Sequence, residues 1–126
     1  MTKTTIAFAV FTILIFIGGV TLLTRNNQYS QTPSLPENVE YFWSETCPHC
    51  KKVADFIETW EGKDAFEMEK VEINDTNENT MLFLQRGTQV CKIPRNQLGV
   101  PLLITPEGKC FLGDAPIIDY LKSLEL

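Results

Sequence analysis

The chain has a single histidine, His49, and four cysteines, Cys47, Cys50, Cys91 and Cys110. A zinc centre usually draws on a second Cys-x-x-Cys pair or on a pair of histidines. Both are missing, so a closed zinc centre is disfavoured and no cofactor is expected. Positive charge is scarce as well. Eleven lysines and arginines face sixteen acidic residues, and without Lys3 and Arg25 the remainder is acidic by seven. That argues against a nucleic-acid partner, which needs a basic footprint, and against docking on anionic lipid. Internal repeats are absent. Residues 6–23 carry no charge at all.

That uncharged run, IAFAVFTILIFIGGVTLL, has 18 residues. Against a requirement of about 20 it reads as a membrane-spanning helix. A cleaved signal peptide competes with this reading, but its apolar region usually runs ~7–15 residues and ends at small residues. Here the run ends in Leu22-Leu23-Thr24-Arg25, with no A-x-A-like site. The expectation is an N-terminal membrane anchor at 1–25, contacting the bilayer through 6–23. A polar linker with Pro33 and Pro36 follows at 26–38, then one domain at 39–126. The domain is expected outside the cytoplasm, held to the cell membrane by a single pass.

Within the domain, VEYFW (39–43) is a run of strand formers. From Cys50 to Trp60 the apolar residues Val53, Phe56, Ile57 and Trp60 fall at helical spacing. Phe66, Met68, Val71 and Ile73 read as a second strand. Asn74–Asn79 is polar and rich in helix-capping residues. Met81, Leu82 and Leu84 begin a second helix that closes near Gly87. Residues 90–99 look irregular. PLLIT from Pro101, the turn at 106–109 and Cys110–Leu112 read as a strand, a turn and a return strand. A last helix carries Ile117, Ile118, Leu121 and Leu124, with Asp114 as its N-cap. The order is strand, helix, strand, helix, strand, strand, helix: a small mixed sheet flanked by helices.

Cys47-Pro48-His49-Cys50 lies between the first strand and the first helix of that series. A cysteine at a helix N-terminus meets unpaired N–H groups and the positive end of the helix dipole, which favour an anion. The thiolate is the reactive form, so Cys47 gains reactivity there. Pro48 is tolerated in the first turn because its missing N–H has no partner to lose. Cys50, one turn on, can close a disulfide. His49 can further favour the thiolate by hydrogen bond or charge. A stabilised thiolate makes the disulfide a better oxidant. A bare Cys-x-x-Cys remains a modest signal, and soft-metal ligation or a structural bridge are its alternatives.

The domain resembles the thioredoxin superfamily over residues 38–126, on YFWSETCPHC after the first strand and GVPLLIT some fifty residues later. The CPHC sequence with Val100 before Pro101 is similar to DsbA-type oxidases. The short domain, with no long helical insertion, looks like glutaredoxins and minimal thioredoxins. It also looks like the thioredoxin-like domains that partner vitamin K epoxide reductase-type membrane enzymes. The resemblance implies an α/β, thioredoxin-like β-α-β-α-β-β-α three-layer sandwich, here behind an N-terminal transmembrane helix. It implies a cis peptide bond before Pro101, facing the cysteine pair. Cys47 then attacks or is attacked, and Cys50 resolves the mixed disulfide. Pro101 and the Val100 backbone shape a substrate groove and keep metal from the thiols. The implied partners are cysteine-containing exported proteins, with reoxidation by a membrane quinone-linked or vitamin K epoxide reductase-type enzyme. The Gly-Pro insert of ordinary thioredoxins is absent, which tells against a dedicated reductase. His49 stands where glutaredoxins carry tyrosine, which tells against a glutathione role.

Cys91 and Cys110 invite a second, structural disulfide. It would close a loop of about 20 residues, worth ~3 kcal/mol by loop entropy. Free buried thiols and a second redox relay are the alternatives. Trp43, just before the motif, lines the substrate site or belongs to the core. Phe42 is expected in the core. Glu45, Lys51 and Lys52 read as solvated surface rather than as groups that tune the thiol.

Overall fold

β-Branched and aromatic residues suit a pleated, buried surface, and Val39–Trp43 forms the strand β1 around which the domain is built. The structure is a computed structural model that describes residues 2–25 (19–25 as helical backbone only), 33–74 and 78–124. β1 pairs in parallel with β2 (Met68–Glu72) and antiparallel with β3 (Leu102–Ile104). β3 in turn pairs antiparallel with β4 (Cys110–Leu112), so the sheet order is β2-β1-β3-β4. Among the described residues the α-helices are α1 (Lys3–Arg25), α2 (Pro48–Thr59), α3 (Asn79–Gln85) and α4 (Asp114–Ser123), of which the last three share the sheet's unit. The class is α/β with a mixed four-stranded sheet.

Met1–Thr32 and Pro33–Leu126 are separate compact units. The first holds α1. Among the described residues, no helix is long and apolar enough to cross a membrane. A bilayer core of ~30 Å takes about 20 apolar residues at ~1.5 Å each. The expected transmembrane helix is therefore corrected. With it go the membrane contact through 6–23 and the single-pass, extracytoplasmic location that rested on it.

The second unit begins at Pro33. Residues 26–32 of the expected linker lie outside the described residues, as do 75–77 of the polar stretch after β2. Pro33–Asn38 packs with the domain. Pro36 is buried. Arg86 Nη1 donates to both the carbonyl and the hydroxyl of Ser34.

Side chains alternate across a strand, and β1 divides the core accordingly. Val39 and Tyr41 join Leu103 on one face, under Val53 of α2 and Ile117 and Leu121 of α4. On this face the rings of Phe56, Trp60, Phe66, Tyr120 and Phe111 form a continuous series of contacts. Burial pushes the Tyr41 phenol up to about 12. Phe42 joins Val71, Leu102 and Ile104 on the other face, against Phe83 of α3. Phe42 is fully buried, as expected of a core residue. Glu40 is also buried, and Arg86 meets its carboxylate with two parallel hydrogen bonds of 2.8 and 2.9 Å. A buried carboxylate is costly unless paired in this way.

Several boundaries differ from the periodicity. α2 starts at Pro48, two residues before Cys50. β2 starts at Met68, because Phe66 turns into the aromatic series instead of extending the ladder. α3 does not close at Gly87 but continues as a π-helical turn, Arg86–Val90. The Leu98 side chain lies close beside Gly87, so a Cβ there would require it to shift. The N-cap of α4 is Gly113 at φ 95°, a conformation that favours glycine, so Asp114 is the first helical residue and not the cap.

Candidate active site

Cys47 adopts the extended conformation of an N-cap (φ −92°, ψ 112°), and its carbonyl accepts from the Lys51 N–H at 3.1 Å. Its Sγ accepts from the Cys50 N–H at 3.0 Å. Sulfur thus takes the place that a serine or aspartate oxygen usually fills at a cap. Pro48 follows at the first helical position. Cys47 and Cys50 are joined by a disulfide with Cα atoms 5.2 Å apart. The two sulfurs are not equivalent. Cys50 is 3% exposed, while Cys47 is half-buried. An incoming thiolate can therefore reach Cys47, and on reduction Cys47 keeps a backbone donor that stabilises its anion.

The Val100 carbonyl oxygen lies 3.6 Å from Cys47 Sγ. In the reduced thiol form the S–H can donate to it. The Val100–Pro101 peptide bond is cis. Pro101 is buried, and its carbonyl accepts from the Gly113 N–H at 2.9 Å, tying the start of α4 to the approach into β3. A groove of about 450 Å³ is lined by Ser44, Glu45, Thr46, Glu72, Ile73 and Val100, among others. Val100 therefore lies both at the groove and at the reactive sulfur. Trp43 does not line the groove; it packs on the α2–α4 face of the core. The Trp43 Nε1 is buried and has no hydrogen-bond partner among the described residues.

His49 is exposed and reaches across to α4, with Nδ1 3.2 Å from Asp114 Oδ1. Lys52 Nζ is 3.2 Å from the other oxygen, Oδ2. The Lys52 hydrogen bond, with a smaller part from His49, holds the Asp114 carboxyl below its usual 3.8. An ionised carboxylate only accepts, so the proton of this contact sits on His49 Nδ1. Lys51 is occupied with Asp55 one turn on, at 2.7 Å. Asp114 is the residue that sequence reasoning missed. Its place after a glycine suggested a cap, and 65 residues separate it from His49.

Cys91 and Cys110 form the second disulfide, with Cα atoms 5.7 Å apart and a sequence separation of 19. Cys91 follows the π-helical turn, and Cys110 opens β4 opposite Ile104. Both pack against the α3-side core with Val90, Ile93 and Leu98. Among the described residues, no group of three or more histidine, cysteine, aspartate and glutamate side chains could hold a metal ion.

No protein-family model, curated protein or solved structure matches this chain. The functional reading therefore comes from the chemistry of the site.

Proposed function

We propose that residues 33–126 act as a thiol–disulfide oxidoreductase working through Cys47 and Cys50. In this reading the domain is thioredoxin-like, and its substrates are cysteines of other proteins. The observation that carries the proposal is the asymmetry of the pair: an accessible sulfur at a helix N-cap and its partner buried one turn inside. A substrate thiolate attacks Cys47 Sγ of the disulfide, a mixed disulfide forms, and the Cys50 thiolate leaves. A second substrate thiolate then attacks the substrate sulfur, releasing a substrate disulfide and the Cys47 thiolate. Two electrons pass from substrate to the pair. In the reducing direction the Cys47 thiolate attacks a substrate disulfide, freeing one substrate thiolate and forming a mixed disulfide; the Cys50 thiolate then attacks Cys47 Sγ, re-forming the Cys47–Cys50 bond and freeing the second substrate thiolate. The Cys50 N–H, the helix dipole and His49 support the Cys47 anion as attacking and leaving group. Val100, beside the sulfur, presents backbone to a bound peptide.

His49 between the cysteines supports the oxidising direction. A reductase reading draws on a different observation, the Asp114 carboxylate that accepts from the same imidazole. A soft-metal-binding module would have to rely on Cys47 and Cys50 alone.

Trapping separates exchange from the rest. Cys50→Ala, oxidised in the presence of a cysteine-containing peptide, is expected to accumulate a peptide mixed disulfide at Cys47, while Cys47→Ala accumulates far less. Equal trapping by both variants, or by neither, would overturn the assignment of Cys47 as the exchanging sulfur.

A further inference from the structure

Resting on that redox reading, we propose that Asp114 is a tuning residue for Cys47: its carboxylate offsets the positive charge of Lys52 and engages the His49 Nδ1–H, and so makes the pair less oxidising than CPHC alone would be. The geometry has three parts. Asp114 sits at the first position of α4, anchored because the Gly113 N–H is held by the Pro101 carbonyl. Its two oxygens are divided between two residues of the active-site helix, His49 on Oδ1 and Lys52 on Oδ2, each at 3.2 Å. Its side chain is 22% exposed, against 61% for His49 and 63% for Lys52, so the carboxylate is the more enclosed member of both contacts.

The charges around Cys47 then add up in a definite way. Lys51 is neutralised by Asp55 on the same helix. Glu45, on the turn before Cys47, is exposed and adds negative charge. On α4, Asp114 is the acidic residue that reaches α2, and it faces the only histidine of the chain. With Asp114 ionised, the Lys52 charge is partly offset and the His49 Nδ1–H is engaged. Without it, both act on the Cys47 thiolate, and a stabilised thiolate shifts the pair toward its reduced form. Asp114 therefore works through His49 and Lys52 and does not touch the sulfur in any step.

The test uses the full chain with Asp114→Asn and Asp114→Glu, and two readouts. The first is the Cys47 titration in the reduced protein, followed by thiolate ultraviolet absorbance. The second is the equilibrium with reduced and oxidised glutathione. Asp114→Asn is expected to lower the Cys47 pKa and to raise the equilibrium constant for oxidising glutathione about threefold, or about 14 mV at 29.6 mV per decade. Asp114→Glu should stay near the parent. Combined with His49→Ala and Lys52→Met, the Asn substitution should have little further effect. A purely structural role would change melting temperature without moving the Cys47 titration. An unchanged titration, or a shift toward a weaker oxidant, would overturn the proposal. Should the parent chain fail to exchange with glutathione at all, the oxidoreductase reading falls, and the Cys47 titration still decides the role of Asp114.

Discussion

The domain carries two disulfides that differ in nearly every physical respect. Cys47–Cys50 spans three residues at the start of a helix, with one sulfur accessible and a donor N–H aimed at it. Cys91–Cys110 spans 19 residues, joins a π-helical turn to β4 and packs against core side chains. A bridge across three residues closes too small a loop to restrict the unfolded chain much, whereas one across 19 restricts it considerably. The first arrangement favours chemistry and the second favours stability. The Arg86–Glu40 pair stands with the second, since it fastens Ser34 and the π-helical turn to β1.

Breaking either side should therefore produce opposite phenotypes. Cys47→Ser has the largest expected effect on function: disulfide exchange falls to the uncatalysed level, while the denaturant midpoint stays close to that of the parent with Cys47–Cys50 reduced. Arg86→Ala has the largest expected effect on stability. It leaves the Glu40 carboxylate buried without its cation and should cost about 3–5 kcal/mol in urea unfolding. The fraction that remains folded should still trap peptide at Cys47. Cys91→Ala with Cys110→Ala comes next, at about 3 kcal/mol by the loop-entropy relation, again with exchange at Cys47 retained. Loss of exchange in that double variant at full folding would show that the second bridge takes part in the chemistry.

The smallest effect concerns pH. Asp114 has its carboxyl lowered by Lys52 first and His49 after it. A depressed folded-state pKa means that the contribution to stability is complete above the unfolded value. It is lost as pH falls through the folded one. The window thus opens near 3.8 and extends below it. Parent and Asp114→Asn should diverge in thermal stability above that window and converge below it, and high salt should narrow the gap because the groups are partly exposed.

How far the sequence reveals this division depends on range. VEYFW, the 53-56-57-60 spacing and the PEGK turn are local patterns, and they correspond to β1, α2 and the β3–β4 connection. Cys47 could be placed at a helix start because Pro48 and the following periodicity both point there. Asp114 could not be read as a partner of His49, since nothing local to Gly113-Asp114 indicates which helix it will meet. Arg86 was equally hidden: an arginine in a mixed stretch looks solvated until the sheet brings Glu40 beneath it. The π-helical turn escaped for a related reason, as the Leu98 side chain beside Gly87 comes from a later part of the chain. The uncharged N-terminal run was read as a span from its length and lack of charge, whereas among the described residues no helix is long and apolar enough to cross a membrane.

One titration bears most directly on the contrast between the two bridges. The oxidised chain is equilibrated across a series of glutathione buffers, its free thiols are alkylated, and mass spectrometry follows both disulfides in the same sample. The account predicts two separate transitions, with Cys47–Cys50 opening under mild conditions while Cys91–Cys110 remains closed until the domain unfolds. Coincident transitions, or Cys91–Cys110 opening first in the folded protein, would contradict the division of the two disulfides into a reactive pair and a structural one.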